Sequence, residues 1–130
     1  MYTKTTKDIK VTVLPYYLDQ QSEPENNCYF WAYTIQLENF GKDTVKLQNR
    51  YWHITDGMGR VQEVRGAGVV GENPILKPGD AFQYTSGVPL RTPSGIMSGQ
   101  YEMTLENGDK IDVEVPAFSL DSPLGMSKPN

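Results

Sequence analysis

A chain of 130 residues with a formal charge of −4 fits one acidic domain, long enough to bury roughly two-thirds of its unfolded surface around a single core. Sixteen Asp+Glu against twelve Lys+Arg disfavour non-specific nucleic-acid binding, and no apolar stretch reaches bilayer length, so neither a nucleic-acid partner nor membrane insertion is expected. The single cysteine, Cys28, excludes an intramolecular disulfide and, beside one histidine, makes a structural zinc site unexpected; with no secretory pattern in the first seven residues, the expected location is the cytoplasm.

Asp8 to Leu18 reads as a strand with Ile9, Val11 and Val13 on one face, and Pro15 marks it as an edge or bulged strand. Asp19 to Asn27 is a polar loop. Cys28 to Asn39 gives the clearest alternation, Tyr29, Trp31, Tyr33, Ile35 and Leu37 against Phe30, Ala32, Thr34, Gln36 and Glu38. Its first half is apolar on both faces, which places that end centrally.

After the turn at Asn39 to Asp43, Val45 and Leu47 alternate, but the phase slips near Asn49-Arg50, and Trp52 and Ile54 then carry the apolar face. That slip predicts a β-bulge, with Trp52 spanning two sheets. Asp56-Gly57-Met58-Gly59 predicts a hairpin returning through Arg60 to Arg65, anchored by Val61 and Val64. Pro78-Gly79 suits the centre of a type II turn before a strand from Ala81 to Val88 with Phe82 and Tyr84 on one face. Pro89 to Gly95 is expected as loop. Gln100 to Leu105 and Lys110 to Val115 form a hairpin about Asn107-Gly108, ended by Pro116, with Phe118 and Leu120 at the rim. The expected fold is all-β, an antiparallel β-sandwich over residues 1–124, followed by a flexible tail over residues 125–130.

The stretch Arg65-Gly66-Ala67-Gly68-Val69-Val70-Gly71-Glu72-Asn73-Pro74 spells G-x-G-x-x-G, the dinucleotide fingerprint. That fingerprint needs a helix after its last glycine to hold the pyrophosphate. Here Pro74 and Pro78-Gly79 follow within a few residues and leave no room for one, so a dinucleotide fold is not expected. An anion-binding nest of glycine-loop amides at Arg65, Gly66, Gly68 and Gly71 is the surviving ligand reading, with Arg60 or Arg50 adding charge. The plainer reading makes Gly66 and Gly68 bends, with Val69 and Val70 plugging the end of the sandwich.

Other chemistry is sparse. His53 has no nucleophile near it in sequence and is expected to face solvent; Cys28 is expected to behave as a small buried hydrophobe. Asp56, Glu63, Glu72, Asp80, Asp109 and Asp112 are scattered, without the dense spacing of a dedicated cation loop. No catalytic residue, metal ligand or cofactor is assigned, and an enzyme is not expected.

Arg50-Tyr51-Trp52-His53-Ile54-Thr55-Asp56, the Gly66 to Pro74 stretch, Tyr84-Thr85-Ser86-Gly87, Thr92-Pro93, Gly95 and Gly99-Gln100-Tyr101-Glu102-Met103 together resemble the bacterial ApaG family. Ala32-Tyr33-Thr34-Ile35, Asn39-Phe40-Gly41 and Pro116-Ala117-Phe118-Ser119-Leu120 extend the resemblance to about residues 8–123. It implies an immunoglobulin or fibronectin type III-like sandwich, and an association with cobalt and magnesium resistance or efflux. Similar domains in a eukaryotic F-box substrate-recognition protein and a DNA polymerase delta-interacting protein look like interaction modules. The family's glycine motif, likened to a pyrophosphate-binding motif, maps onto Gly66, Gly68 and Gly71.

The leading expectation is a non-catalytic module with a protein partner, contacted through exposed strand edges or the loops at Gly66 to Pro74 and Pro89 to Gly95. The alternative is direct binding of a divalent cation or of pyrophosphate or nucleotide through loop 66–71; phosphoester hydrolysis ranks third.

Overall fold

The computed structural model describes residues 1–123; Leu124 and the tail expected over residues 125–130 lie outside them. Among the described residues nine strands run in chain order: β1 Tyr2–Thr6, β2 Ile9–Tyr17, β3 Tyr29–Asn39, β4 Val45–Asp56, β5 Val61–Ala67, β6 Ile75–Leu76, β7 Ala81–Leu90, β8 Ser94–Leu105 and β9 Lys110–Asp121. A 3-10 turn, Pro24–Asn26, interrupts the loop after β2. No helix among the described residues is long and apolar enough to cross a membrane.

The strands form two antiparallel sheets, ordered β1-β2-β3-β7 and β5-β4-β8-β9, with β6 pairing the start of β4 beyond β5. The all-β sandwich expected from alternation is the fold observed. β3 lies centrally between β2 and β7, which explains its apolar residues on both faces. Trp52 packs edge-on against Tyr33 of the first sheet and against Tyr101 and Phe118 of the second, with centroids 5.5, 6.0 and 6.4 Å away. It joins the two layers as expected, and truncating so large a buried ring costs about 3–5 kcal/mol.

The predicted β-bulge is present: the β4–β8 register shifts between Leu47 and Asn49. Asp80 N–H donates to Lys77 O at 2.8 Å, closing the turn at Pro78-Gly79. Pro15 lies past the end of β1, where β2 has become an edge.

Several boundaries differ from expectation. β1 was not anticipated: it is polar, mostly exposed, and turns into β2 through Lys7 and Asp8, both at positive φ (46° and 67°). Val61 is 56% exposed, because β5 is an edge strand whose alternate residues face solvent; Val64 alone anchors it. The loop after β7 shrinks to residues 91–93. β9 runs through Pro116, which sits in a second bulge where Val115 faces Gly99 and Phe118 faces Met97. That bulge carries Phe118 and Leu120 into the core, 1% and 0% exposed, not to the rim.

The two lateral sides of the sandwich differ. On one, β1 and β2 pack on β9: Lys4 Nζ meets Glu114 Oε2 at 2.6 Å, Glu114 N–H donates to Thr6 Oγ1, and Ser119 N–H donates to Tyr2 Oη. On the other, β7 and β5 end their sheets without pairing each other. The sandwich is zipped on the β1–β9 side and open between β5 and β7.

Candidate functional site

The glycine stretch begins inside β5, where Gly66 pairs with Arg50 and Ala67 with Asn49. At Gly68 the backbone turns left-handed (φ 62°), and its N–H donates to Gln48 O at 2.9 Å. Val69 and Glu72 then close a two-residue turn with reciprocal backbone bonds of 2.8 Å, around Val70 (φ 44°) and Gly71 (φ 79°). Asn73 Nδ2 donates to Leu47 O and Gln48 O at 3.0 and 3.1 Å, so the loop caps the carbonyls of the β4 bulge. No helix follows, in keeping with the prolines. Val69 is buried at 1%, but Val70 is 53% exposed, so only Val69 plugs the sandwich: the tight turn points the next side chain outward.

The bulge has a chemical consequence. Strict alternation from Val45 and Leu47 would turn Asn49 and Tyr51 inward; the extra residue turns in Arg50 and Trp52 instead. Arg50 Nη1 donates to Ala67 O at 3.0 Å and to Gly68 O at 2.9 Å. Its guanidinium lies over Gly66, where an added Cβ would sit 2.8 Å from both terminal nitrogens. The loop therefore offers carbonyls to a cation, while its Gly68, Val69 and Glu72 amides are engaged within the protein.

Arg50 borders a cavity of about 340 Å³ between the sheets, with Tyr33, Trp52, Val70, Tyr84 and Ser86. Burial raises the Tyr33 phenol, partly offset by its Ser86 hydrogen bond and the Arg50 charge. Burial likewise pushes up Tyr84 and Tyr101, whose hydroxyls bond to each other. The guanidinium thus faces neutral phenols, and no ion pair to a carboxylate is found for it among the described residues.

Farther along the same open side lies a larger cavity of about 560 Å³, floored by Ile54 and Leu90 and edged by Cys28, Arg60, Val61 and Arg91. Asp56 there holds Arg60 at 2.7 Å and accepts the Met58 and Arg60 N–H groups. Burial works to raise the Asp56 carboxyl, and those donors with the Arg60 charge outweigh it, leaving the pKa below its ordinary value.

The four residues expected at the anion site are not gathered. Arg65 stacks on Tyr51, 4.4 Å from the ring centroid, beside Glu63 on the outer face, where it and Gly66 border a separate depression of about 440 Å³. Gly71 borders the inner cavity and Gly68 forms the bend between the two. His53 is half-buried on the outer face of β4, between Glu63 and Ser98 in the ladder. Cys28 is only half-buried, at the mouth of the larger cavity rather than in the core, because β3 begins one residue later. Among the described residues no three of His, Cys, Asp and Glu come together as a cation site. Tyr33, Tyr84, Ser86 and Arg91 were not singled out as site residues in the sequence; the phase slip before Arg50 was the one local sign of this pocket.

Fold and site together define an immunoglobulin-like β-sandwich with an arginine-bearing slot between two free edges. The model of the ApaG domain matches residues 19–105, and the chain belongs to that family. It is 58% identical to Protein ApaG of Rhodospirillum centenum over 130 residues, 100% of both chains. It is 61% identical to Protein ApaG of Paramagnetospirillum magneticum over 123 residues, 95% of each. The putative ApaA protein from Bordetella pertussis superposes with a TM-score of 0.86 at 47% identity, covering 89% of this chain and 94% of that one.

Proposed function

We propose that the chain is a non-catalytic protein-interaction module acting in the cytoplasm, with the open side between β5 and β7 as its binding surface. The unpaired edges of β5 and β7, flanking a slot with an apolar floor, carry this reading. Met58, Val61 and Val70 stand 75%, 56% and 53% exposed around that slot, apolar area that a partner would cover. The association with cobalt and magnesium resistance would then run through the protein bound there.

The test is affinity capture on the immobilised chain with quantitative mass spectrometry, comparing wild type, Met58→Glu/Val61→Glu and a far-face control, Leu14→Glu. A protein held by wild type and control and lost by the slot variant is the expected result. Proteins retained equally by all three would overturn the reading.

A second reading, direct binding of a pyrophosphate-class anion, is favoured by one observation: Arg50 reaches the inner cavity without a carboxylate partner among the described residues. Calorimetry with pyrophosphate on wild type and Arg50→Met tests it; no heat at millimolar ligand would remove it.

A further inference from the structure

We propose that the partner enters as an extended, acidic segment that adds a strand to the free edge of β7. This deepens the interaction reading and rests on it.

The pairing of β7 supplies the first step. Asn39 N–H donates to Asp80 O at 3.0 Å, which sets the phase of the antiparallel β3–β7 ladder. Bonded and non-bonded pairs alternate, so Phe82, Tyr84, Ser86 and Val88 direct their backbone groups to β3. Gln83, Thr85 and Gly87 direct theirs to the free edge. Pro89 is next in that outward series; it has no N–H to leave unpaired, and it ends the row where a proline is tolerated. An edge with regular free donors and acceptors, beside an apolar slot, is the geometry that strand addition uses.

Charge decides the kind of segment. The chain carries −4 overall, yet the cavities along the open side are lined by Arg50, Arg60 and Arg91. Asp56 is the one carboxylate among their lining residues, and it is paired to Arg60. Arg91 makes no ion pair among the described residues. From Tyr84 beside Arg50 to Arg91 is seven residue steps, about 24 Å of strand. An incoming strand of that length presents alternate side chains to the slot. Apolar side chains fit over Ile54 and Leu90, and carboxylates at the two ends reach Arg50 and Arg91. Basic segments are repelled by Arg50 and Arg91, which have no carboxylate partner among the described residues, and this makes the slot selective as well as attractive.

The probe is a set of fluorescein-labelled twelve-residue peptides alternating Val or Thr with Glu, with Ser or with Lys, titrated against the full chain by anisotropy. The Glu series should bind at least tenfold more tightly than the Ser series, weaken with added salt, and lose about tenfold on Arg91→Glu; the Lys series should bind least. The Glu peptide should shift the amide resonances of Gln83, Thr85 and Gly87 and protect them from exchange. N-methylation of every second peptide amide should abolish binding in one phase and spare it in the other. Equal binding of Glu and Lys series, or indifference to N-methylation in both phases, overturns strand addition by an acidic segment. So does a dimer of the chain that Thr85→Pro dissociates, since a second copy would then fill the edge. A Glu peptide whose shifts fall outside β5 and β7 removes this mode of binding and leaves the interaction reading to the capture experiment.

Discussion

The three glycines of the G-x-G-x-x-G stretch make a quantitative test, because the structure gives each a different reason to be glycine. At Gly68 an added Cβ would lie 2.3 Å from Glu72 O, about 1 Å inside a tolerable C···O separation of about 3.3 Å. Glu72 cannot retreat freely, since its N–H and C=O both bond to Val69 across the turn. Gly68→Ala therefore combines the left-handed φ, about 1 kcal/mol, with the loss of two backbone bonds at about 1 kcal/mol each, for a total of about 3 kcal/mol. Gly71 has φ 79° but nothing within 4 Å of an added Cβ, so Gly71→Ala costs only the conformational part, about 1 kcal/mol. Gly66→Ala meets the movable Arg50 guanidinium and its two carbonyl bonds, an intermediate cost of about 1–2 kcal/mol. Urea unfolding followed by the fluorescence of the buried Trp31 and Trp52 reads these values. With a slope of about 2 kcal/mol per molar, the midpoint falls by about 1.5 M for Gly68→Ala and about 0.5 M for Gly71→Ala. Equal losses at positions 68 and 71 would refute the steric argument.

Val70 is β-branched at φ 44°, an unfavourable combination in a turn that prefers Asn-Gly, so Val70→Asn should stabilise the domain by about 1 kcal/mol in the same urea assay; a loss of stability contradicts the strain assignment. The depressed pKa of Asp56 means that the native state binds fewer protons than the unfolded chain. Its contribution is complete above the ordinary carboxylate range and disappears as pH falls through the folded value, so Asp56→Asn should be less stable than wild type at pH 7 and converge with it at acid pH, as thermal melts can show. Tyr33, Tyr84 and Tyr101 have raised pKa values, so the stability they confer is present below pH 10 and declines as pH rises beyond it; ultraviolet titration should find these three ionising above the ordinary tyrosine range, and their ionisation near pH 10 in folded protein would contradict their burial.

Much of the fold was legible because alternation is imposed by one-sided burial. β3 and the ends of β4 show it plainly, and the slip at Asn49-Arg50 announced a bulge that the register contains. Where a local rule failed, a tertiary contact had overridden it. β1 has no apolar stripe because it lies at the sheet edge, touching β9 mainly through Tyr2, Lys4 and Thr6. The loop expected from Pro89 to Gly95 takes in the first two residues of β8. Gly99 is in the ladder, with an added Cβ only 2.2 Å from Tyr51 O and 2.7 Å from the Trp52 ring, so the strand carries glycine to let Trp52 cross. Pro116 read as a terminator for want of the partner strand, whose register shift creates the bulge that accommodates it.

The site was legible in its parts and not in its assembly. Alternation with a slip implies that Arg50 turns inward, and glycines beside prolines imply a turn in place of a helix; both follow from local chemistry. Which strands end each sheet depends on sheet order, and nothing local to β5 or β7 states that they end up on the same side. That placement follows from the opposite side: once Lys4, Tyr2 and Phe118 close β1 on β9, β7 and β5 are left as the free edges of a four-stranded and a five-stranded layer. The glycine motif then acquires a role its letters do not suggest. It folds back on the β4 bulge and fixes Arg50 through two carbonyls at one end of the slot. A sequence pattern associated with phosphate recognition by amides is used here to orient the Arg50 guanidinium by carbonyls.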